Sequence, residues 1–191
     1  MRLIVGISGS TGAIYGVRLL EVLHTLPDIE IHLVMSEGAR TTISYETDYR
    51  LQDVIEWAHT LHDPGNVGAS IASGTFLTAG MIVAPCSMKT LSSIANSYND
   101  NLITRAADVC LKERRRLVLL VRETPLHLGH LRLMTAVTEA GGIILPPVPG
   151  FYQKPKTMLD LVDHSLGKAL DLFGIEHNLY PRWSGLPLPQ G

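Results

Sequence analysis

Small hydroxyl residues stand directly after apolar runs at several points of this chain, a pairing of type and position that suits the holding of a phosphate-bearing ligand. Residues 3–8 run into Gly9-Ser10-Thr11-Gly12, and residues 30–35 into Ser36-Glu37. Residues 80–84 run into Pro85-Cys86-Ser87-Met88-Lys89-Thr90, and residues 117–122 end at Arg122 before Glu123-Thr124-Pro125. Hydroxyls and an arginine supply directed donors to phosphate oxygens. The first turn also opens helical spacing over residues 13–26, so unpaired N–H groups and the positive end of a helix dipole meet there, and a phosphate at that turn is expected. It is not a Walker A loop, since no Gly-Lys-Ser/Thr follows, and no G-x-G-x-x-G runs from Gly9. A tight connection without a ligand is the plainer alternative. The repetition of the same chemistry at four strand ends weighs against it.

Other residues able to do chemistry are fewer. Residues 102–114 carry Arg105, Asp108 and Lys112 at spacings of three and four, on one helical face, where pairing within the helix is the simplest reading. Arg122 suits a phosphate, and Glu123 beside it becomes a general acid or base if burial raises its pKa. Cys86 has no histidine placed by sequence to activate it, and His127 and His130 lack a third metal ligand. With two cysteines and no metal-ligand spacing, neither a disulfide framework nor a structural zinc site is expected. A formal charge of −2 offers no surface for nucleic acid, and the basic run at 112–116 reads as a solvated helix end.

The elements that position these residues follow from periodicity. Strands are expected at 3–8, 30–35, 80–84, 117–122 and 142–145, with helices at 13–26, 38–44, 51–59, 89–97, 102–114, 127–140 and 157–173. This alternation predicts an α/β fold, a single doubly wound, Rossmann- or flavodoxin-like parallel sheet with helices on both faces. Such sheets bind ligands at the C-terminal ends of their strands, where the hydroxyls stand. The domain is expected over residues 1–175. Pro146 to Pro155 forms a stiff loop carrying Phe151 and Tyr152. Residues 176–191, with Trp183 and three prolines, read as a tail that docks on a neighbouring subunit. No signal pattern and no apolar run of spanning length occurs, so a cytoplasmic protein without a membrane anchor is expected.

Several motifs in order resemble one family. Val5-Gly6-Ile7-Ser8-Gly9-Ser10-Thr11-Gly12-Ala13, Pro85-Cys86-Ser87-Met88-Lys89-Thr90, the run from Arg105 to Glu113, Arg122-Glu123-Thr124-Pro125-Leu126-His127, Pro146 to Tyr152 and Arg182-Trp183 closely resemble the UbiX-type flavin prenyltransferases. The B subunits encoded with aromatic-acid decarboxylases belong to the same family. The resemblance implies that reduced FMN and dimethylallyl monophosphate are joined at flavin N5 and C6, without a metal. The product, prenylated FMN, would serve a UbiD-type decarboxylase, and the enzyme would be a homododecamer. By motif, Gly9, Ser10, Thr11, Ser36, Ser87, Met88, Lys89, Thr90 and Arg122 would contact FMN. Arg105, Lys112, Tyr152, Lys168 and Trp183 would surround the allyl phosphate. Glu46, Lys112, Glu123 and Tyr152 are the catalytic candidates, the two acids for proton handling. Many members carry Arg where this chain has Lys168, which keeps the charge and loses the bidentate fork. A non-catalytic FMN carrier and an FMN-dependent decarboxylase of the cysteine-decarboxylase type are the alternatives. The latter carries Pro-Ala-Ser-Ala-Asn-Thr at the third strand end and a histidine in the second helical region, which 38–44 lacks.

Overall fold

A strand that is apolar on both faces needs cover on both faces, and this requirement shapes the molecule. The computed structural model describes residues 1–185; the last six residues of the expected tail, 186–191, lie outside the described residues. In chain order it contains β1 (Arg2–Ile7), α1 (Ala13–His24), β2 (Glu30–Met35), α2 (Glu37–Glu46), α3 (Leu51–Glu56) and β3 (Thr60–His62). A 3-10 turn at Ser70–Ala72 precedes β4 (Gly80–Cys86), α4 (Met88–Ala95), α5 (Leu102–Lys112), β5 (Arg116–Val121), α6 (Leu128–Glu139), β6 (Ile143–Ile144) and α7 (Met158–Leu172).

The six strands form one sheet in the order β3-β2-β1-β4-β5-β6, every pair parallel. Val5 of β1 pairs with Leu33 on one side and Ile82 on the other. The chain winds outward from β1 through β2 to β3, then returns beside β1 and winds the other way through β4, β5 and β6. The doubly wound fold read from the sequence is therefore borne out. Its order reverses between β1 and β4, the switch point where such sheets open a crevice.

Cover differs on the two faces. Ile4, Met81, Val83, Leu117 and Leu119 pack with Leu102, Ile103, Ala106, Ala107 and Cys110 of α5. On the other face α1 approaches closely, because Gly16 lies against the Ala84 carbonyl and the Ile7 side chain. Strand β3 was not expected from the sequence. Its three residues Thr60, Leu61 and His62 are too few and too mixed to give a periodic signal, and they pair with β2 alone.

The contacts group the chain into two compact units, Met1–Pro147 and a second beginning at Val148. The first holds the whole sheet with α1 to α6. The second holds the proline-rich loop from Val148 onward, α7 and the segment after it. Helix α7 opens on a capping box: Thr157 Oγ1 accepts the Asp160 N–H at 3.1 Å, and the Asp160 carboxylate accepts the Thr157 N–H at 3.0 Å. Among the described residues no helix is long and apolar enough to cross a membrane.

Candidate functional site

The switch point is locked by a single buried hydroxyl. Ser8, which ends β1, donates to the Pro85 carbonyl at 2.9 Å and accepts the Ser87 N–H at 2.7 Å, tying the ends of β1 and β4 together. Ser36 and Ser87 follow β2 and β4 in extended conformation and cap the next helices. Ser36 Oγ accepts the Ala39 N–H at 3.1 Å, and Ser87 Oγ accepts the Thr90 N–H at 3.3 Å while donating to Thr90 Oγ1 at 3.1 Å. Among the described residues no hydrogen bond engages the first-turn N–H groups of Glu37, Gly38, Met88 and Lys89. Two helix N-termini with free donors thus border one space.

That space is a cleft of about 560 Å³ lined by Ser8, Gly9, Ser36, Gly38, Ser87, Lys89 and Thr90, together with Pro64, Gly65, Asn101 and the acids Glu37 and Asp100. The size is that of a small-molecule site. Beside it, Ser10 Oγ is buried without a partner among the described residues. The donors and their number suit a phosphate and a hydrogen-bonding body.

The first turn departs from expectation. Gly12, at φ 93°, caps α1, and the Gly12 and Ala13 N–H groups donate to the Glu46 carboxylate at 2.8 and 3.1 Å. A carboxylate from the end of α2 therefore occupies the anion position of α1, and the open positions are those of α2 and α4. Burial pushes the Glu46 pKa up, but hydrogen bonds from Thr11, Gly12 and Ala13 and the charge of Arg122 outweigh it, so the carboxyl lies below its usual range. Arg122 makes no hydrogen bond or ion pair through its guanidinium among the described residues, although its backbone N–H is fixed to the Cys86 carbonyl at 3.1 Å. An ionised acid and an uncommitted cation thus stand together at the strand ends.

Among the remaining expected residues, Gly9, Ser36, Ser87, Lys89 and Thr90 line the cleft, whereas Met88 packs against the core beneath α4. Thr11 is exposed at the first turn. Glu123 is exposed in the single chain and accepts the Thr124 N–H at 2.9 Å. Arg105 is engaged by Asp108 at 3.0 Å and by the Ala72 carbonyl at 3.2 Å, as pairing within the helix predicts. Lys112 ends α5, with only three residues between it and the start of β5, and pairs with Glu113 beside Gly74. It therefore lies at the N-terminal edge of the sheet, opposite the cleft of its own chain. Burial pushes the Cys86 thiol up, which leaves it inert. His127 caps α6 by accepting the Gly129 N–H at 3.0 Å, and among the described residues no group of three or more His, Cys, Asp or Glu could hold a metal.

In the second unit, the Tyr152 hydroxyl lies 3.0 Å from His164 Nε2, and the Trp183 ring meets the Tyr152 ring edge-on at 5.7 Å. Asp171 gathers the segment after α7: it accepts from His177 Nε2 at 3.1 Å, from the Tyr180 hydroxyl and from Arg182 at 2.7 Å. Lys168 is exposed on α7, one turn beyond His164. Sequence reasoning missed Gly38, Asn101 and His164, whereas Ser8, the last residue of an apolar run, was legible at the first strand edge. His164 gave no signal, because its partner arrives from a loop.

Comparison with known proteins is consistent with this geometry. The flavoprotein family profile matches residues 1–167. The flavin prenyltransferase UbiX of Thauera aromatica is 58% identical over 97% of this chain and 95% of that protein. Among solved structures, a dodecameric FMN-dependent UbiX-like decarboxylase from Escherichia coli O157:H7 superposes with a TM-score of 0.94 at 51% identity, covering 97% of this chain and all of that one, 100%. AnUbiX in complex with FMN and dimethylallyl pyrophosphate gives 0.94 at 49% identity, over 97% of this chain and 98% of that one.

Proposed function

The chain belongs to the UbiX-type flavin prenyltransferases, within the flavoprotein family, and from that premise we propose how its residues divide the reaction. The enzyme transfers a prenyl group to a flavin. FMN in its reduced form is the acceptor substrate, with its phosphate between the N-termini of α2 and α4, held by Ser36, Ser87, Thr90 and Lys89. The observation that carries this reading is the cleft at the β1/β4 switch point bordered by two serine-capped helices whose first-turn donors are free. Gly9, Ser10, Thr11, Arg122 and, through its free first-turn N–H, Met88 complete the flavin contacts, and Ser10 Oγ, buried without a partner among the described residues, fits that role. Reduced FMN, when bound, supplies the ring positions N5 and C6 as nucleophiles.

The donor is dimethylallyl monophosphate, gripped through Tyr152, Lys168 and further cations without a metal. Cleavage of its C–O bond builds negative charge on phosphate and positive charge on the allyl group. Trp183 shelters the allyl cation with its π-face. Glu46, ionised at neutral pH, accepts the proton that the flavin nitrogen releases as the C–N bond forms, and Glu123 assists at the second ring position. Lys112 acts from a neighbouring subunit, since it stands at the far edge of its own sheet, and Arg105 is a further cation for the donor. A homo-oligomer, a dodecamer, is then the working form, and the tail from residue 176 docks within it. The prenylated FMN passes to a UbiD-type decarboxylase in the cytoplasm. Neither a non-catalytic FMN carrier nor a cysteine decarboxylase is favoured, given relatives at 58% identity that are flavin prenyltransferases.

The test is anaerobic incubation of the protein with reduced FMN and dimethylallyl monophosphate, or the diphosphate in parallel, followed by mass spectrometry of the released flavin. A flavin heavier by one prenyl unit supports the reading. Recovery of unmodified FMN from folded protein with either donor refutes it.

A further inference from the structure

A tyrosine that binds a leaving phosphate must present its hydroxyl proton, not its lone pairs, to the anion. Tyr152 sits on a loop and is 54% exposed, so nothing about its own backbone sets that orientation. Its hydroxyl has one hydrogen-bond partner among the described residues, His164 Nε2 at 3.0 Å, with the two rings 5.6 Å apart at 81°. We propose that His164 is a positioning residue for prenyl transfer, fixing the Tyr152 hydroxyl as a donor toward the allyl phosphate.

This role rests on the phosphate binding by Tyr152 proposed above and on how firmly His164 is itself held. It rises from the second turn of α7, a 15-residue helix with a closed capping box. Its ring is pressed against bare backbone: a Cβ on Gly150 would stand 2.8 Å from its Cε1 and 3.3 Å from each ring nitrogen. The Tyr180 ring closes another side at 5.1 Å. Burial and the charge of Lys168 depress the His164 pKa, so the ring is neutral and carries one N–H and one lone pair. Two arrangements are then open. With the proton on Nδ1, Nε2 accepts the hydroxyl proton and the tyrosine offers an anion nothing. With the proton on Nε2, the imidazole donates to the tyrosine oxygen, and the hydroxyl proton is free to point at phosphate. An arriving anion selects the second, which forms a chain of donors from imidazole to hydroxyl to phosphate. Lys168 cannot replace this, because an ammonium is a point charge without preferred direction.

His164→Phe keeps a ring of similar size and removes the bond, and His164→Gln restores an N–H at a similar reach. Steady-state prenyl transfer is measured for both, alone and combined with Tyr152→Phe, and FMN binding is followed by flavin fluorescence as a check on folding. The expected result is a KM for the allyl phosphate raised about three- to tenfold in His164→Phe, the loss of one indirect hydrogen bond, with FMN affinity unchanged and recovery in His164→Gln. In the Tyr152→Phe background His164→Phe should have no further effect, since the two act as one unit. Additive losses, or a His164→Phe enzyme with the normal KM, overturn the proposal while leaving the flavin prenyltransferase reading intact. A Tyr152→Phe enzyme with normal kinetics overturns both the proposal and the assignment of Tyr152, and absence of prenylated flavin from the unaltered protein overturns the functional reading itself.

Discussion

Replacing Glu46 separates a structural role from a chemical one, and the structure allows each to be sized. The carboxylate accepts the N–H groups of Gly12, the N-cap of α1, and Ala13, its first residue, at 2.8 and 3.1 Å. Glu46→Ala returns both to water. Loss of an N-terminal cap costs about 0.5–2 kcal/mol, and loss of a negative charge at the positive end of a helix about 0.3–1 kcal/mol. Glu46 is largely exposed, so screening reduces the second figure to its low end. A total of about 1–2 kcal/mol corresponds to a fall in Tm of roughly 3–6 °C for a chain of this size. Glu46→Gln keeps one acceptor oxygen and should lose less than half of that. The charged contribution also has a direction in pH: the folded pKa is depressed, so it is present above the usual value of 4.5 and disappears as pH falls. Turnover should behave oppositely. Glu46→Gln cannot take a proton, and general base catalysis is worth about 100- to 10,000-fold, so single-turnover formation of prenylated flavin should fall at least about 100-fold while FMN still binds. Calorimetry and anaerobic single-turnover assays read the two effects independently. A glutamine variant with full turnover would refute the chemical role, and an alanine variant with an unshifted Tm would refute the capping argument.

Three further outcomes follow from other parts of the molecule. Gly16→Ala drives a methyl group into the Ala84 carbonyl and within 2.8 Å of Ile7 Cδ1; overpacking of this kind costs about 1–3 kcal/mol, which denaturant titration should show as a lower midpoint at constant slope. Stability should fall as pH drops below about 6.5, the unfolded histidine value, because burial and the His32 charge depress the His62 pKa and its neutral ring, 3.0 Å from His32 Nδ1, is then the stable form. His62→Gln should reduce that slope by up to one proton, about 1.4 kcal/mol per pH unit, and an unchanged slope would remove His62 from the account. Asp171→Asn weakens the hold on His177, Tyr180 and Arg182 at once; Trp183 fluorescence should shift toward that of a solvated indole, and limited proteolysis after residue 176 should accelerate several-fold.

The parts of the fold that were legible are those in which burial repeats. Residues Leu102, Ile103, Ala106, Val109 and Cys110 mark one face of α5 in sequence and in space, and the unbroken apolar runs of β1, β4 and β5 announce strands covered on both sides. Strand β3 escaped because an edge strand of three residues needs no repeating pattern, only β2 beside it. In the site, Ser36 and Ser87 were legible since a cap sits next to the helix it caps. Glu46 at α1 was not, because the contact joins residues 33 and 34 positions apart and no local rule brings the end of α2 to the start of α1. The error it caused was specific: the helix judged most open to phosphate is the one already neutralised.

Lys112 shows a different limit, and its resolution bears on how the enzyme works. Resemblance assigned it to the site, but in a parallel sheet a helix that leads into the next strand must end at the N-terminal edge, and α5 leads directly into β5. No rearrangement of side chains carries a residue across the height of the sheet. If Lys112 serves a prenyl phosphate, a second copy must bring its N-terminal edge to the cleft of the first. The exposure of Phe151 at 68% and Trp183 at 60% points the same way, since large apolar side chains of this kind are ordinarily covered at an interface. Dissociation should then abolish turnover before it abolishes FMN binding, because the residues proposed for the flavin phosphate, Ser36, Ser87 and Thr90, all come from one chain. Parallel titration of oligomer size, flavin fluorescence and prenylation in dilute denaturant resolves the order of the losses, and simultaneous loss of flavin binding and turnover would argue against a site shared in this way.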